Sequence, residues 1–135
     1  MTNKLQLEIV TPEATVYSEA VEMVTLPAVE GQISVLPLHV RLVTQLVPGE
    51  LIVRKGGHED FLAVGEGLVE VTNDRVSIVT NMAVAIENID EAAAEEARER
   101  AAARLKEKLS SEEVASVNAS LARSLAQLHV KRRHH

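Results

Sequence analysis

Residues 4–86 run in short stretches whose apolar and polar positions alternate, and beyond Ile89 the apolar spacing changes to three and four. Lys4-Leu5-Gln6-Leu7-Glu8-Ile9-Val10 shows the first pattern, the mark of a strand with one buried face. The same reasoning predicts strands over 15–18, 20–26, 32–36, 42–47, 50–55, 60–64, 68–72, 75–80 and a short one over 83–86. Turn residues separate them: Pro12, Pro27, Glu30-Gly31, Pro37, Pro48-Gly49, Gly56-Gly57, Gly65-Glu66-Gly67 and Asn73-Asp74. Pro48-Gly49 and Gly56-Gly57 read as hairpin-type turns, because glycine takes the positive φ that tight turns need. About ten short strands at regular spacing predict an antiparallel sandwich or barrel, and residues 1–87 are long enough for a small two-sheet core, so a β-sandwich is the expectation.

The second pattern predicts two helices within residues 88–135. Asp90 is placed to cap the first, with Glu91, Glu95 and Glu96 in its opening turns and Arg104, Lys106 and Lys108 near its end. Glu96 and Arg100 form an i,i+4 pair. Its apolar side is Ala94, Ala97, Ala101, Leu105 and Leu109, a face that buries little area. Ser110 and Glu113 fit a capping box that starts the second helix. That helix presents Val114, Val117, Leu121, Leu125 and Leu128. Each helix is expected to be roughly 20 residues, about 30 Å, joined by two or three residues as an antiparallel hairpin. The arm can fold on the sandwich or extend from it.

Charge adds a polarity to this plan. The net charge is −6, from 14 Lys/Arg and 20 Asp/Glu. Residues 1–86 hold 5 Lys/Arg against 11 Asp/Glu, and residues 87–135 hold 9 of each. From Val114 onward there is no acidic residue, while Arg123, Lys131, Arg132 and Arg133 are basic. Nucleic-acid binding calls for a broad positive face and stacking aromatics, and the only aromatic residues of that kind are Tyr17 and Phe61. The basic tip reads either as a solubilising tail that complements the helix dipole or as a docking patch for an acidic protein surface. Anionic lipid would call for more basic residues or an adjoining apolar face. With no cysteine, disulfides, thiolate zinc sites and cysteine nucleophiles are excluded. No secretory pattern or membrane-length apolar run is visible, so the expectation is a protein kept in the cytosol or attached from that side.

No motif for catalysis emerges. Phosphate loops, dinucleotide fingerprints and nucleophile elbows are missing. Gly65-Glu66-Gly67 lacks a third glycine and a following helix, so a hairpin turn is expected there. His39, His58 and His129 share no ligand spacing and read as surface or packing residues. His134-His135 reads as a frayed terminus.

The segment Val29-Glu30-Gly31-Gln32-Ile33-Ser34-Val35-Leu36-Pro37-Leu38-His39-Val40-Arg41-Leu42-Val43-Thr44 resembles a landmark of the epsilon subunits of bacterial F-type ATP synthases. Pro48-Gly49-Glu50-Leu51, Gly65-Glu66-Gly67-Leu68-Val69-Glu70-Val71 and Ile89-Asp90-Glu91-Ala92 match further landmarks, so the resemblance spans nearly the whole chain. It implies a non-catalytic rotor subunit of a proton-transporting complex, peripheral on the cytoplasmic side of the bacterial plasma membrane. The implied partners are the gamma subunit, the c-ring and the beta subunits. Glu30, Gly31, Gln32, Pro37, His39, Arg41 and Leu42 would face stalk and ring. Arg123, Lys131, Arg132 and Arg133 would meet an acidic loop of the beta subunits when the arm extends and suppresses ATP hydrolysis. The alternative is a nucleotide-sensing module whose hairpin closes on ATP. Ile89, Asp90 and Arg123 fit the family's ATP motif, but Ala93 and Gln127 stand where arginines are expected. A triphosphate site without those two cations loses much of its attraction, so weak or absent ATP binding is expected. No cofactor, metal or catalytic residue is implied. A free-standing sandwich enzyme or sugar-binding domain is the remaining reading, against which the lack of a polar constellation counts.

Overall fold

The computed structural model describes residues 4–37 and 41–134. Ten strands come first: β1 (Leu5–Val10), β2 (Thr15–Val21), β3 (Met23–Ala28), β4 (Gly31–Val35), β5 (Leu42–Leu46), β6 (Gly49–Lys55), β7 (His58–Val64), β8 (Gly67–Val71), β9 (Arg75–Thr80) and β10 (Ala83–Ala85). A 3₁₀ turn, Ile86–Asn88, leads into α1 (Glu91–Arg104) and α2 (Ser111–Arg133). The hydrogen-bonded order is β10-β7-β6-β3-β5-β8-β9-β1-β2, with β4 paired to β3. Only Ala28 and Leu46 join β3 to β5, and the ladder folds over at this narrow joint. The two layers that result enclose an aliphatic core of Leu5, Leu7, Ile9, Val21, Val24, Leu26, Leu51, Val53, Val69, Ile78 and their neighbours. Pairing is antiparallel except for β1 with β9, where the first strand lies parallel to the ninth.

The strand pattern holds closely, with one shift of a break. The predicted gap at Glu19 is continuous strand, and the chain bends instead at Glu22. The core side chains are odd-numbered in β1 and at Val21, and even-numbered at Val24, Leu26 and Ala28 of β3, so the bend turns the opposite set of side chains inward. Glu22 secures it by accepting the Gly56 N–H at 2.8 Å, and Lys55 pairs with Glu19 beside it.

Three turn expectations change. Pro27 sits inside β3, where the strand passes from β6 to β5; it donates nothing, yet its carbonyl accepts the Val47 N–H at 3.0 Å. Pro48-Gly49 joins β5 to β6, and Gly65–Gly67 joins β7 to β8, but neither pair of strands is hydrogen-bonded. Both are crossovers between layers and not hairpins. Their glycines answer to crowding: a Cβ on Gly67 would stand 2.8 Å from Thr80 Cα and closer still to the Val79 carbonyl. Gly56-Gly57 does close the β6–β7 hairpin, with φ of 59° and 82°, the pair of positive values a type I′ turn requires.

The helical hairpin is built as expected at its starts and differently at its ends. Asp90 caps α1 by accepting the Ala93 N–H at 3.0 Å, and Ser110 and Glu113 form the capping box at 3.1 Å each way. α1 stops at Arg104, so the connection is six residues, 105–110, rather than two or three. Lys106 N–H to Ala103 and Glu107 N–H to Arg104 tighten its exit into i→i+3 bonds, which ends the α-helix. Glu95 pairs with Arg98, not Glu96 with Arg100, among the described residues.

Candidate functional site

Two regions hold the residues singled out by sequence. The first is the edge formed by β4, which pairs with β3 alone among the described strands. Glu30, Gly31, Gln32 and Arg41 are exposed there, while Pro37 and Leu42 are half-buried; His39 lies outside the described residues. Gly31, at φ 121°, closes the β3–β4 turn. Val29 and Leu36 flank the edge as exposed apolar side chains. Ser34, on the same strand, shares a 2.9 Å hydrogen bond with Thr25 and so serves the sheet.

The second region is where the arm lies on the sandwich. Along β6 and β7 the inward residues are Leu51, Val53, Leu62 and Val64, leaving Glu50, Ile52, Phe61 and Ala63 on the outer face. The C-terminal half of α2 covers that face. Val130, Ile89 and Ala63 make a small second core, bordered by Phe61, Met82, Val84 and Ile86. Of the five apolar positions expected to define the buried face of α2, only Leu128 is buried; Leu125 is 46% exposed. The buried set is Ser124, Ala126, Leu128 and Val130, because α2 must satisfy α1 on one side and the sheet on the other.

The tip of the arm is not free. Lys131 donates to the Ile86 carbonyl at 3.2 Å, and Arg132 bonds Glu91 and Glu95 at 3.2 Å each. Arg98 first, with Arg132 adding to it, holds the Glu95 carboxyl below the usual glutamate range. Arg133 lies 3.1 Å from Glu50 Oε1, an ion pair without hydrogen-bond alignment. His134 bonds the other Glu50 oxygen and stacks on Phe61, centroids 3.7 Å apart and planes at 21°. This corrects the frayed-terminus expectation for His134. Glu50 and His134 were missed by sequence reasoning; the only local signal was an acidic residue at an outward strand position just after Pro48-Gly49. Arg123 stands apart and makes no ion pair among the described residues.

A cleft of about 650 Å³ separates the β3–β4 turn from α2 and brings Gly31 and Gln32 to the same walls as His129 and Arg133. A second, of about 560 Å³, is lined by Arg98, Leu125, Leu128, His129, Arg132 and Arg133. Neither is lined by Ile89, Asp90 or Arg123. Ile89 is buried in the small core, the Asp90 carboxylate serves as the cap of α1, and the Gln127 amide lies 3.2 Å from the Met82 sulfur. Ile89 and Asp90 are thus engaged in local structure, and among the described residues neither cleft brings them together with Arg123.

Residues 4–86 match the family described as ATP synthase, Delta/Epsilon chain, beta-sandwich domain, and residues 87–132 match its long alpha-helix domain. The chain belongs to the ATP synthase delta/epsilon family. It is 42% identical to an ATP synthase epsilon chain of Dehalococcoides mccartyi, covering 98% of this chain and 96% of that one. It is 41% identical to the epsilon chain of Herpetosiphon aurantiacus, over 93% of each. A chain in the mitochondrial ATP synthase of Euglena gracilis, in a structure described as OSCP/F1/c-ring, superposes with a TM-score of 0.77 at 27% identity, over 98% of this chain and 82% of that one. A chain from the central stalk and c-ring of the Tetrahymena thermophila enzyme shares the fold, with a TM-score of 0.56 at 14% identity. Among the described residues, no helix is long and apolar enough to cross a membrane.

Proposed function

We propose that this chain is a non-catalytic central-stalk subunit of a proton-transporting F-type ATP synthase. In this reading residues 1–87 couple the catalytic head to the c-ring, and residues 88–135 form an arm that suppresses ATP hydrolysis when extended. The observation that carries it is the end-to-end correspondence with epsilon chains, through both the sandwich and the helical arm.

The surface supports a contact role. Val43, Leu68 and Val79 are 63%, 52% and 59% exposed on the outer face of β5, β8 and β9, with Leu68 directly opposite Val79. Grouped apolar side chains of this kind mark protein contacts. We assign this face to the gamma subunit. The neighbouring edge, with Val29, Glu30, Gly31, Gln32, Leu36, Pro37, Arg41 and Leu42, is assigned to the c-ring and the foot of the stalk, and His39, outside the described residues, is assigned with it by its place in the sequence. Arg123, Lys131, Arg132 and Arg133 are assigned to the beta subunits in the extended arm. Membrane association then comes through the complex, on the cytoplasmic side of the plasma membrane.

Reconstitution tests this. Added to a catalytic head lacking its epsilon subunit, the full chain should bind gamma and lower ATP hydrolysis. A chain ending at Asn88 should bind equally and inhibit less. Equal inhibition by both chains would remove the arm from the account, and failure of either to bind gamma would remove the stalk assignment.

A further inference from the structure

The last three residues of α2 and its C-cap, His134, hold four consecutive side chains with partners on four separate elements. Lys131 reaches the 3₁₀ turn, Arg132 reaches α1, Arg133 reaches β6, and His134 reaches β6 and β7 together. Arg133 and His134 converge on one carboxylate, that of Glu50, while Lys131 and Arg132 reach the other side of the arm's root. The remaining contact with the sheet is a small apolar one in which Val130 is the one fully buried aliphatic side chain that α2 contributes.

Glu50 is the keystone. Its side chain is 5% exposed, yet it stands on the outer face of the sandwich, so the arm itself is what covers it. Covered, the carboxylate depends on Arg133 and His134 for compensation. Uncovered, it returns to water at no structural cost. A carboxylate of this kind penalises an arm that docks without these partners and rewards one that docks with them.

We propose that Glu50 is the receptor of a C-terminal latch, closed by Arg133 and His134 and steadied by Lys131 and Arg132. The latch sets how often the arm leaves the sandwich. It is a property of the isolated chain and does not depend on the rotor assignment. Taken with that assignment, it has a consequence: another protein's acidic surface must compete with Glu50, Glu91 and Glu95 for Arg132 and Arg133 until the latch opens.

The chain contains no cysteine, so spin labels on Asn73→Cys and Asn118→Cys, both at exposed positions, report the arm–sandwich distance in the isolated full chain. Glu50→Gln should raise the released fraction about tenfold, the effect of losing one charge-assisted contact. Arg133→Gln should do the same, and the double variant should release little more than either alone, because both changes open one pair. Truncation after Val130 should release the arm most. Glu70→Gln, a charge loss on β8 away from the arm, should change nothing. An unchanged distance distribution in Glu50→Gln and Arg133→Gln, or full additivity of the two, overturns the latch. If Glu50→Gln does not fold, Arg133→Gln and the truncation decide alone. Release in the isolated chain without stronger inhibition in the reconstituted head would count against the rotor reading and leave the latch intact.

Discussion

Val130→Ala isolates the apolar part of arm docking. Val130 is fully buried between Ala63 of β7 and Ile89 at the arm's root. The change removes two methyl groups, each worth about 0.8 kcal/mol of transfer free energy, and leaves a cavity that the surrounding strand cannot fully close. The expected loss is about 2 kcal/mol, which is about 30-fold in the ratio of docked to released arm. The loss should be local. The main core of Leu5, Leu7, Ile9 and their neighbours contains no arm residue, so the sandwich does not rely on the arm for closure. Native-state hydrogen exchange resolves the two. Amides in the C-terminal half of α2 should exchange about 30-fold faster, while those of β1, β8 and β9 keep their protection. If sheet amides speed up by the same factor, arm and sandwich are one cooperative unit and the reasoning fails. If neither set changes, Val130 does not anchor the arm.

Other consequences follow from single residues. Gly67→Ala would force a Cβ against the backbone of Val79 and Thr80, so the whole sandwich should lose about 1–3 kcal/mol in a denaturant titration; an unchanged midpoint would mean the crossover can shift. Tyr17 is the only tyrosine, and its phenol is pushed up from 10.0 to about 12, by burial first and then by the charges of Glu19 and Asp60. Because the folded-state value is raised, the stability tied to the neutral phenol is intact below pH 10.0 and is lost as pH rises towards about 12. Phenolate absorbance in the folded chain should therefore lag that of the unfolded chain, and coincident curves would contradict it. Calorimetric titration with ATP should show no tight binding, and tight binding abolished by Asp90→Ala would restore the nucleotide-sensing reading.

The reading from sequence succeeded where the physics is local. Period-two alternation located ten strands, because each strand of a half-buried sheet must sort its own side chains. Ser110 with Glu113, and Asp90 ahead of Ala93, announced helix starts that need only neighbouring residues. The failures came where partners are remote. Pro48-Gly49 and Gly65–Gly67 carry turn chemistry, but turn chemistry does not say whether the flanking strands pair. His134 looked like a loose end because Glu50, its partner, is 84 positions away.

Sequence alone therefore determined the change from strands to helices, the aliphatic core, the two capped helices and the family, since each rests on short-range pattern or on a string of landmarks. Tertiary structure decided how the arm lies. The five apolar positions of α2 were visible, but which of them is buried depends on two neighbours at once, α1 and the sheet. The basic tip was visible too, and read as a solubilising tail or as a docking patch for another protein's acidic surface. Only the fold shows that its cations are already engaged, because a carboxylate on the outer face of β6 becomes buried when the arm arrives with them.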